Sequence, residues 1–185
     1  MPRRLAIVAA PLLLAALLLS GCTPEPRIPA AEPQPTATPL FASDEEALAA
    51  ATAAYEEYNL RSAEIASSPP FDLARLAELT SADFLERERE FFSQLADGGL
   101  RTEGTPVVES SQFQQRYEDE NEREVVVIYV CVDVGETRVL DEAGTDRTPP
   151  DRKTNLGVEA EFVADSSGAL ILRRSEPWNN DSFCD

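Results

Sequence analysis

The sequence predicts an α+β domain in which three N-terminal helices pack on an antiparallel sheet of four or more strands. Two changes of pattern carry this reading. Between residues 43 and 99 apolar side chains recur at steps of three and four, the period of a helix with one buried face. After Gly104 they alternate, the period of a strand. A third observation fixes the centre of the sheet. Glu124-Val-Val-Val-Ile-Tyr-Val-Cys-Val-Asp-Val134 is a long run of β-branched and aromatic residues, which suit a pleated surface. One face of that strand carries Val126, Ile128, Val130, Val132 and Val134, and the other Val125, Val127, Tyr129, Cys131 and Asp133. A strand apolar on both faces is central and covered on both sides.

Ser43-Asp44-Glu45-Glu46 has the form of a capping box and starts the first helix. Leu48, Ala51, Tyr55, Tyr58, Ser62 and Ile65 form its inner face, and Ser67-Ser68-Pro69-Pro70 breaks it. A short second helix is expected from Phe71 to about Leu79, with leucines at 73, 76 and 79. Thr80 or Ser81 caps a third, with Phe84, Glu88, Phe91, Phe92 and Leu95 on one stripe and Gly98-Gly99 as its stop. Val107 to Tyr117 reads as a long strand with Val107, Phe113 and Tyr117 on one face. A charged turn at 118–122 leads into the central strand. Thr137–Leu140, Asn155–Ala164 and Ala169–Ser175 read as further strands, with a loop at 141–151 and a turn at 165–168. The tail from Glu176 to Asp185 has no period.

The N-terminus addresses the chain. Met1-Pro-Arg-Arg4, the apolar run Leu5 to Leu19 and the small residues before Cys22 describe a signal peptide over residues 1–21. The run is too short for a comfortable bilayer span, which argues against the alternative of an uncleaved anchor. Leu19-Ser20-Gly21-Cys22 resembles the bacterial lipobox. The resemblance implies cleavage before Cys22, a lipid on its thiol and acylation, as by palmitate, of the new amino terminus. Two or more acyl chains anchor stably where one does not. The expected location is the cell membrane, lipid-anchored on the extracytoplasmic face. Residues 22–42 then form a tether with six prolines after Cys22, extended enough to reach on the order of 60 Å. Residues 43–185 form a single domain.

The formal charge is −18. Loss of residues 1–21 removes two arginines and no acids, leaving −20. That excludes nucleic acid as a partner and opposes direct attachment to anionic headgroups. Lys153 is the only lysine among sixteen basic residues, a usage typical of high-GC genomes.

With Cys22 lipidated, Cys131 and Cys184 remain. An exported chain permits their pairing, and the long loop so closed is worth roughly 4 kcal/mol in the chain-entropy picture. Two free thiols are the alternative. Metal binding is disfavoured, because histidine is absent and the cysteines have no CxxC spacing. The acids of the 141–151 loop (Asp141, Glu142, Asp146, Asp151) lack the EF-hand pattern. No cofactor is implied.

The order of elements resembles the nuclear transport factor 2-like fold, a cone in which a curved antiparallel sheet wraps a long N-terminal helix. The likeness spans about residues 43–176. With the lipobox, the Pro-rich tether, Cys131-Val-Asp-Val134, Thr137-Arg-Val-Leu140 and Trp178…Cys184, the chain looks like actinobacterial lipoproteins carrying such a domain. The resemblance implies a pocket in the cone, with Tyr55, Phe84, Phe92 and Tyr117 as candidate lining; the same spacings suit plain core. Enzymes of this fold use histidine, an aspartate with a tyrosine, or an Asp-Arg-Asp set. Asp133 and Tyr129 supply raw material here, but no spacing makes them a site. The expected function is a non-enzymatic domain that binds a small molecule or an envelope protein, held off the membrane by its tether. The alternative is a small-molecule enzyme of isomerase, dehydratase or hydrolase type. Cys131 falls on the strand face away from the helices, where the tail is expected to fold back with Trp178 against the sheet.

Overall fold

The structure is a computed structural model that describes residues 39–179 together with 183 and 184. The signal peptide, Cys22 and the tether as far as residue 38 lie outside the described residues.

α1 spans Asp44–Ala66. The Ser43 hydroxyl accepts from the Glu46 amide at 3.3 Å, and the Glu46 carboxylate accepts from the Ala42 amide at 2.7 Å. The capping box therefore closes one residue farther out than the simplest form, and three acids in the first turn favour the helix dipole. The folded unit begins before Ser43. Phe41 is buried in the core, the Leu40 amide donates to Glu124, and Arg116 donates to the Phe41 carbonyl. The last residues assigned to the tether are thus seated on the domain.

Among the described residues two α-helices are present, not the three expected. The segment between them forms only a one-turn 3-10 helix, Leu73–Leu76. Its leucines recur every three residues, which fits three residues per turn. Its continuation is drawn into the sheet: Leu79 accepts from the Leu172 amide at 2.8 Å, and the Ser81 amide donates to Leu172 at 2.9 Å. α2 then spans Ala82–Asp97, capped by Ser81 and stopped at Gly98 and Gly99, the latter at φ 61°.

Six antiparallel strands follow in two sheets. β1 (Leu100–Glu103) and β4 (Arg138–Asp141) make a small ribbon. The main sheet has the order β2 (Val107–Glu118), β3 (Glu124–Asp133), β5 (Asn155–Ala164) and β6 (Leu170–Pro177). β3 is central, as its two apolar faces require. Val126, Ile128, Val130 and Val132 join the helix-side core with Phe162, Leu172, Leu76, Phe84 and Phe92. Val125, Val127 and Val163 form a second, smaller cluster on the other face.

β2 departs from simple alternation. Bulges at Glu109 and Gln114 shift its register against β3, so each changes which residues face inward. Val108 and Phe113 pack against the core, whereas Val107 and Tyr117 are exposed. Val107, Phe113 and Tyr117 therefore do not share a face.

Phe162, fully buried between β3 and α1, stands edge-on to Tyr55 with ring centroids 6.4 Å apart. Phe162→Ala should cost about 3–5 kcal/mol in chemical denaturation. Val107→Ala, at an exposed position, should stay within about 0.5 kcal/mol.

Candidate functional site

The face of the sheet away from the helices carries the chain's cross-link. Cys131 pairs in register with Ser110 on one side and Gly157 on the other. β6 ends at Pro177, and the chain turns back over the sheet. The Trp178 amide donates to the Gly157 carbonyl at 2.8 Å. The Trp178 ring lies on the Tyr129 ring, centroids 3.7 Å apart and planes within 13°. Phe183 stands edge-on to Trp178 at 5.0 Å. Cys184 then joins Cys131 in a disulfide, with Cα atoms 5.4 Å apart. Only glycine suits position 157, because a Cβ there would sit 2.7 Å from the Trp178 carbonyl oxygen.

Tail and sheet together wall a groove of about 590 Å³ lined by Arg152, Asn155, Leu156, Gly157, Trp178 and Cys184. Arg152 is committed to the fold, donating at 2.7 Å to the carbonyls of both Val134 and Thr137. A second, more apolar groove of about 600 Å³ lies between Pro69, Pro70, Ala96, Leu100, Arg101 and Glu142. Both grooves sit at the same end of the unit. Asn155 pairs with Asp133 at the end of β3 opposite Glu124, the residue that holds Leu40. Pro69 and Pro70 follow the far end of α1, which is about 34 Å long for its 23 residues.

Farther along the same face an ion-pair network covers the small valine cluster. Glu161 accepts from Arg173 at 2.6 Å and from Arg174 at 3.0 Å, and the Tyr117 hydroxyl lies between Arg173 and Glu161. Burial works against the Glu161 charge, yet the two guanidiniums hold its carboxyl below the usual range. The resulting stability is present above the ordinary glutamate value and is lost as pH falls through the lowered one.

The four candidate pocket residues do not share one face of the sheet. Tyr55, Phe84 and Phe92 are buried in the helix-side core, and Tyr117 lies on the opposite face of the sheet. Tyr55 and Tyr58 are 6.0 Å apart, and Tyr58 and Phe84 5.6 Å, with tilted or edge-on rings. Asp133 folds back onto the Gly135 amide at 2.6 Å, a turn interaction. Asp141 and Asp146 likewise accept from amides of their own loop, and no group of three metal-ligating side chains occurs among the described residues.

One titratable pair stands out that the sequence reading placed only on separate stripes. Glu88 of α2 meets the hydroxyl of Tyr58 of α1. Burial pushes the Glu88 carboxyl up, against the pull of Tyr58 and Arg87. Burial, followed by the Glu88 charge, pushes the Tyr58 phenol well above its ordinary value. Asn59 beside them is buried, and its Nδ2 has no hydrogen-bond partner.

Because the folded state binds the Glu88 proton more tightly than the unfolded chain, this group costs stability as pH rises from 4.5 through its raised value. Glu88→Gln should therefore be more stable than the parent at neutral pH, the difference shrinking on acidification; denaturation midpoints between about pH 4 and 8 would show it, and a difference independent of pH would refute it. Replacing both Cys131 and Cys184 by Ser should cost about 2–4 kcal/mol, given the separation of 53 residues that they bridge. Trp178 fluorescence should change at the same time as its ring leaves Tyr129.

No protein-family model matches the sequence, and no curated protein matches it. Solved structures do share its fold. The intermembrane space region of chloroplast protein ARC6 superposes with a TM-score of 0.51 at 12% identity, covering 72% of this chain and 97% of the other. A periplasmic fragment of TraM gives 0.50 at 10% identity, covering 76% of this chain and 100% of the other. At these identities the likeness is one of fold: an α+β domain with helices on an antiparallel sheet.

Proposed function

We propose that the chain is an extracytoplasmic lipoprotein, anchored through Cys22, whose folded unit binds an envelope protein at the grooves remote from Leu40. The burial of the aromatic side chains carries this reading. Tyr55, Tyr58, Phe84, Phe92 and Phe162 occupy the interior that a small-molecule site of this architecture would use, so recognition falls to the surface. Function is argued from the site and not from the fold. The helix and strand order supports a cone-shaped domain of the nuclear transport factor 2-like kind, its sheet curved around α1. The intermembrane and periplasmic settings of the two similar structures agree with an extracytoplasmic place, as does a cysteine pair at disulfide distance. No helix among the described residues is long and apolar enough to cross a membrane, so the anchor in this reading is the lipid.

A second reading, a small-molecule enzyme, draws on the Tyr58–Glu88 pair beside the unpartnered Asn59. A carboxyl of raised pKa against a phenol suits proton transfer. It would require the helices to part.

Two measurements test the primary reading. Cys22→Ala should abolish incorporation of labelled palmitate and leave the precursor unprocessed; unchanged labelling overturns the anchor. A photo-reactive residue at Leu156 or Leu100, beside the two grooves, should cross-link an envelope protein in intact cells far better than one at Glu120. Equal capture at Glu120 overturns the placement of the binding surface.

A further inference from the structure

The two edges of the main sheet are treated differently. β6 is closed: Leu79 and Ser81 bond to both sides of Leu172, and Arg87 donates to the Arg173 carbonyl at 2.9 Å. β2 pairs only with β3, and among the described residues no other segment bonds to its outward backbone groups. It is twelve residues long, about 40 Å of open edge. Natural edges of this kind are normally blocked by charge or proline. Here the stretch Ser110-Ser-Gln-Phe-Gln-Gln115 has neither, in a chain of formal charge −18.

We infer that β2 is a self-pairing edge, and that two copies of this chain join antiparallel along it around a two-fold axis at Gln112. The register follows from β2 itself. Taking only the residues that pair with β3, and so stepping over the bulged Glu109 and Gln114, the strand is symmetric about Gln112. Val107 then faces Tyr117 of the second copy, Val108 faces Arg116, Ser110 faces Gln115 and Ser111 faces Phe113. Each pair keeps inward residues with inward and outward with outward, as antiparallel partners must.

Three features favour a second copy as the occupant. Val107 and Tyr117, exposed by 58% and 41%, become cross-strand neighbours, and β-branched with aromatic pairs stabilise sheets. The only charges between Val107 and Tyr117 are Glu109 and Arg116. Arg116 is held on the inner face by Asp44 and Glu124 and Glu109 lies on the outer face near Cys131, so the register sets no like charges against each other. The bulges of the two strands fall one step apart, so the irregularity of one edge meets that of the other. Without these matches the bulges would serve to blunt the edge. An edge ladder buries little area, so the association is weak in dilute solution and depends on high local concentration.

Gln112 is exposed on the outer face and would sit against its own counterpart. Cross-strand Cα atoms are about 4.5–5.5 Å apart, within the span of a disulfide at about 4.4–6.8 Å. The full chain carrying Gln112→Cys, expressed in a bacterial host and oxidised in intact cells, should give a covalent dimer on the order of fivefold more abundantly than Gln115→Cys or Glu120→Cys. Non-reducing mass spectrometry should find the peptide containing position 112 linked to itself. A yield no higher than that of Glu120→Cys overturns the inference, as does linkage of position 112 to a different protein. Ser111→Pro, beside the axis and opposite Val130, whose backbone groups face β5, removes an outward-facing amide, where proline is tolerated on an edge. It should abolish the dimer seen by light scattering of the concentrated, detergent-extracted chain, with the circular dichroism spectrum unchanged. A folded Ser111→Pro chain that remains dimeric also overturns it.

Discussion

The structure depends on a strand that must be covered twice. β3 presents Val126, Ile128, Val130 and Val132 to one side and Val125 and Val127 to the other, all essentially buried. Apolar area left in water would forfeit about 25 cal/mol per Å². Two α-helices cover one face, and none of the described residues forms a third. The far face is covered by different means: aliphatic stems and rings of an ion-pair network around Glu161, and a tail that lays Trp178 on Tyr129 and is tied by Cys184. Polar side chains with apolar stems are well suited to this, since they screen valines while keeping their heads in water. The disulfide therefore secures the part of this cover that has no regular secondary structure.

That solution shapes what the molecule offers to others. The helix-side core packs aromatic rings against one another and holds one polar contact, Tyr58 with Glu88. The tail adds relief to the outer face of the sheet, and the grooves lie where tail or loops end. Closing one edge of the sheet with residues 79–81 uses the segment that the leucine spacing would have made a helix. Closing both edges would have needed another element. β2 is left with bulges, exposed Val107 and Tyr117, and a neutral centre.

How much of this was legible in the sequence depends on whether local pattern or tertiary contact decides each element. β3 and α1 were legible because their periods run unbroken and Ser43 supplies a cap. Cys131 on the outer face pointed to the folded-back tail. Leu100–Glu103 was missed: a four-residue strand with one apolar residue has no period to detect. The second helix was over-read because leucines every three residues fit a helix and a 3-10 turn alike, and the pairing with Leu172 decided between them. The faces of β2 were misassigned because a bulge changes parity without leaving a glycine or proline as a marker. Tyr55, Phe84 and Phe92 were read as core or pocket lining; periodicity shows which residues face inward, not whether the interior is full. The Glu88–Tyr58 contact was out of reach, since it needs the spacing of two helices.

Tethering and self-pairing constrain each other geometrically. A two-fold axis through Gln112 and normal to the sheet runs β2 of the two copies in opposite directions. Leu40, held at the Glu124 end of each sheet, would lie at opposite ends of the pair. Two anchors in one flat membrane then favour an axis normal to the membrane, with the sheet lying parallel to it. Each Leu40 would stand some 20–30 Å from the axis, judged from the length of β2. A tether of the proposed kind, reaching on the order of 60 Å, would be long enough for that offset. The grooves remote from Leu40 would then open sideways, one at each end of the pair. Both remain accessible, so a shared β2 edge and a partner in the grooves do not compete for the same surface. Charge acts in the same direction: a chain of this net charge would be repelled by anionic headgroups, which disfavours close contact of the paired sheets with the membrane.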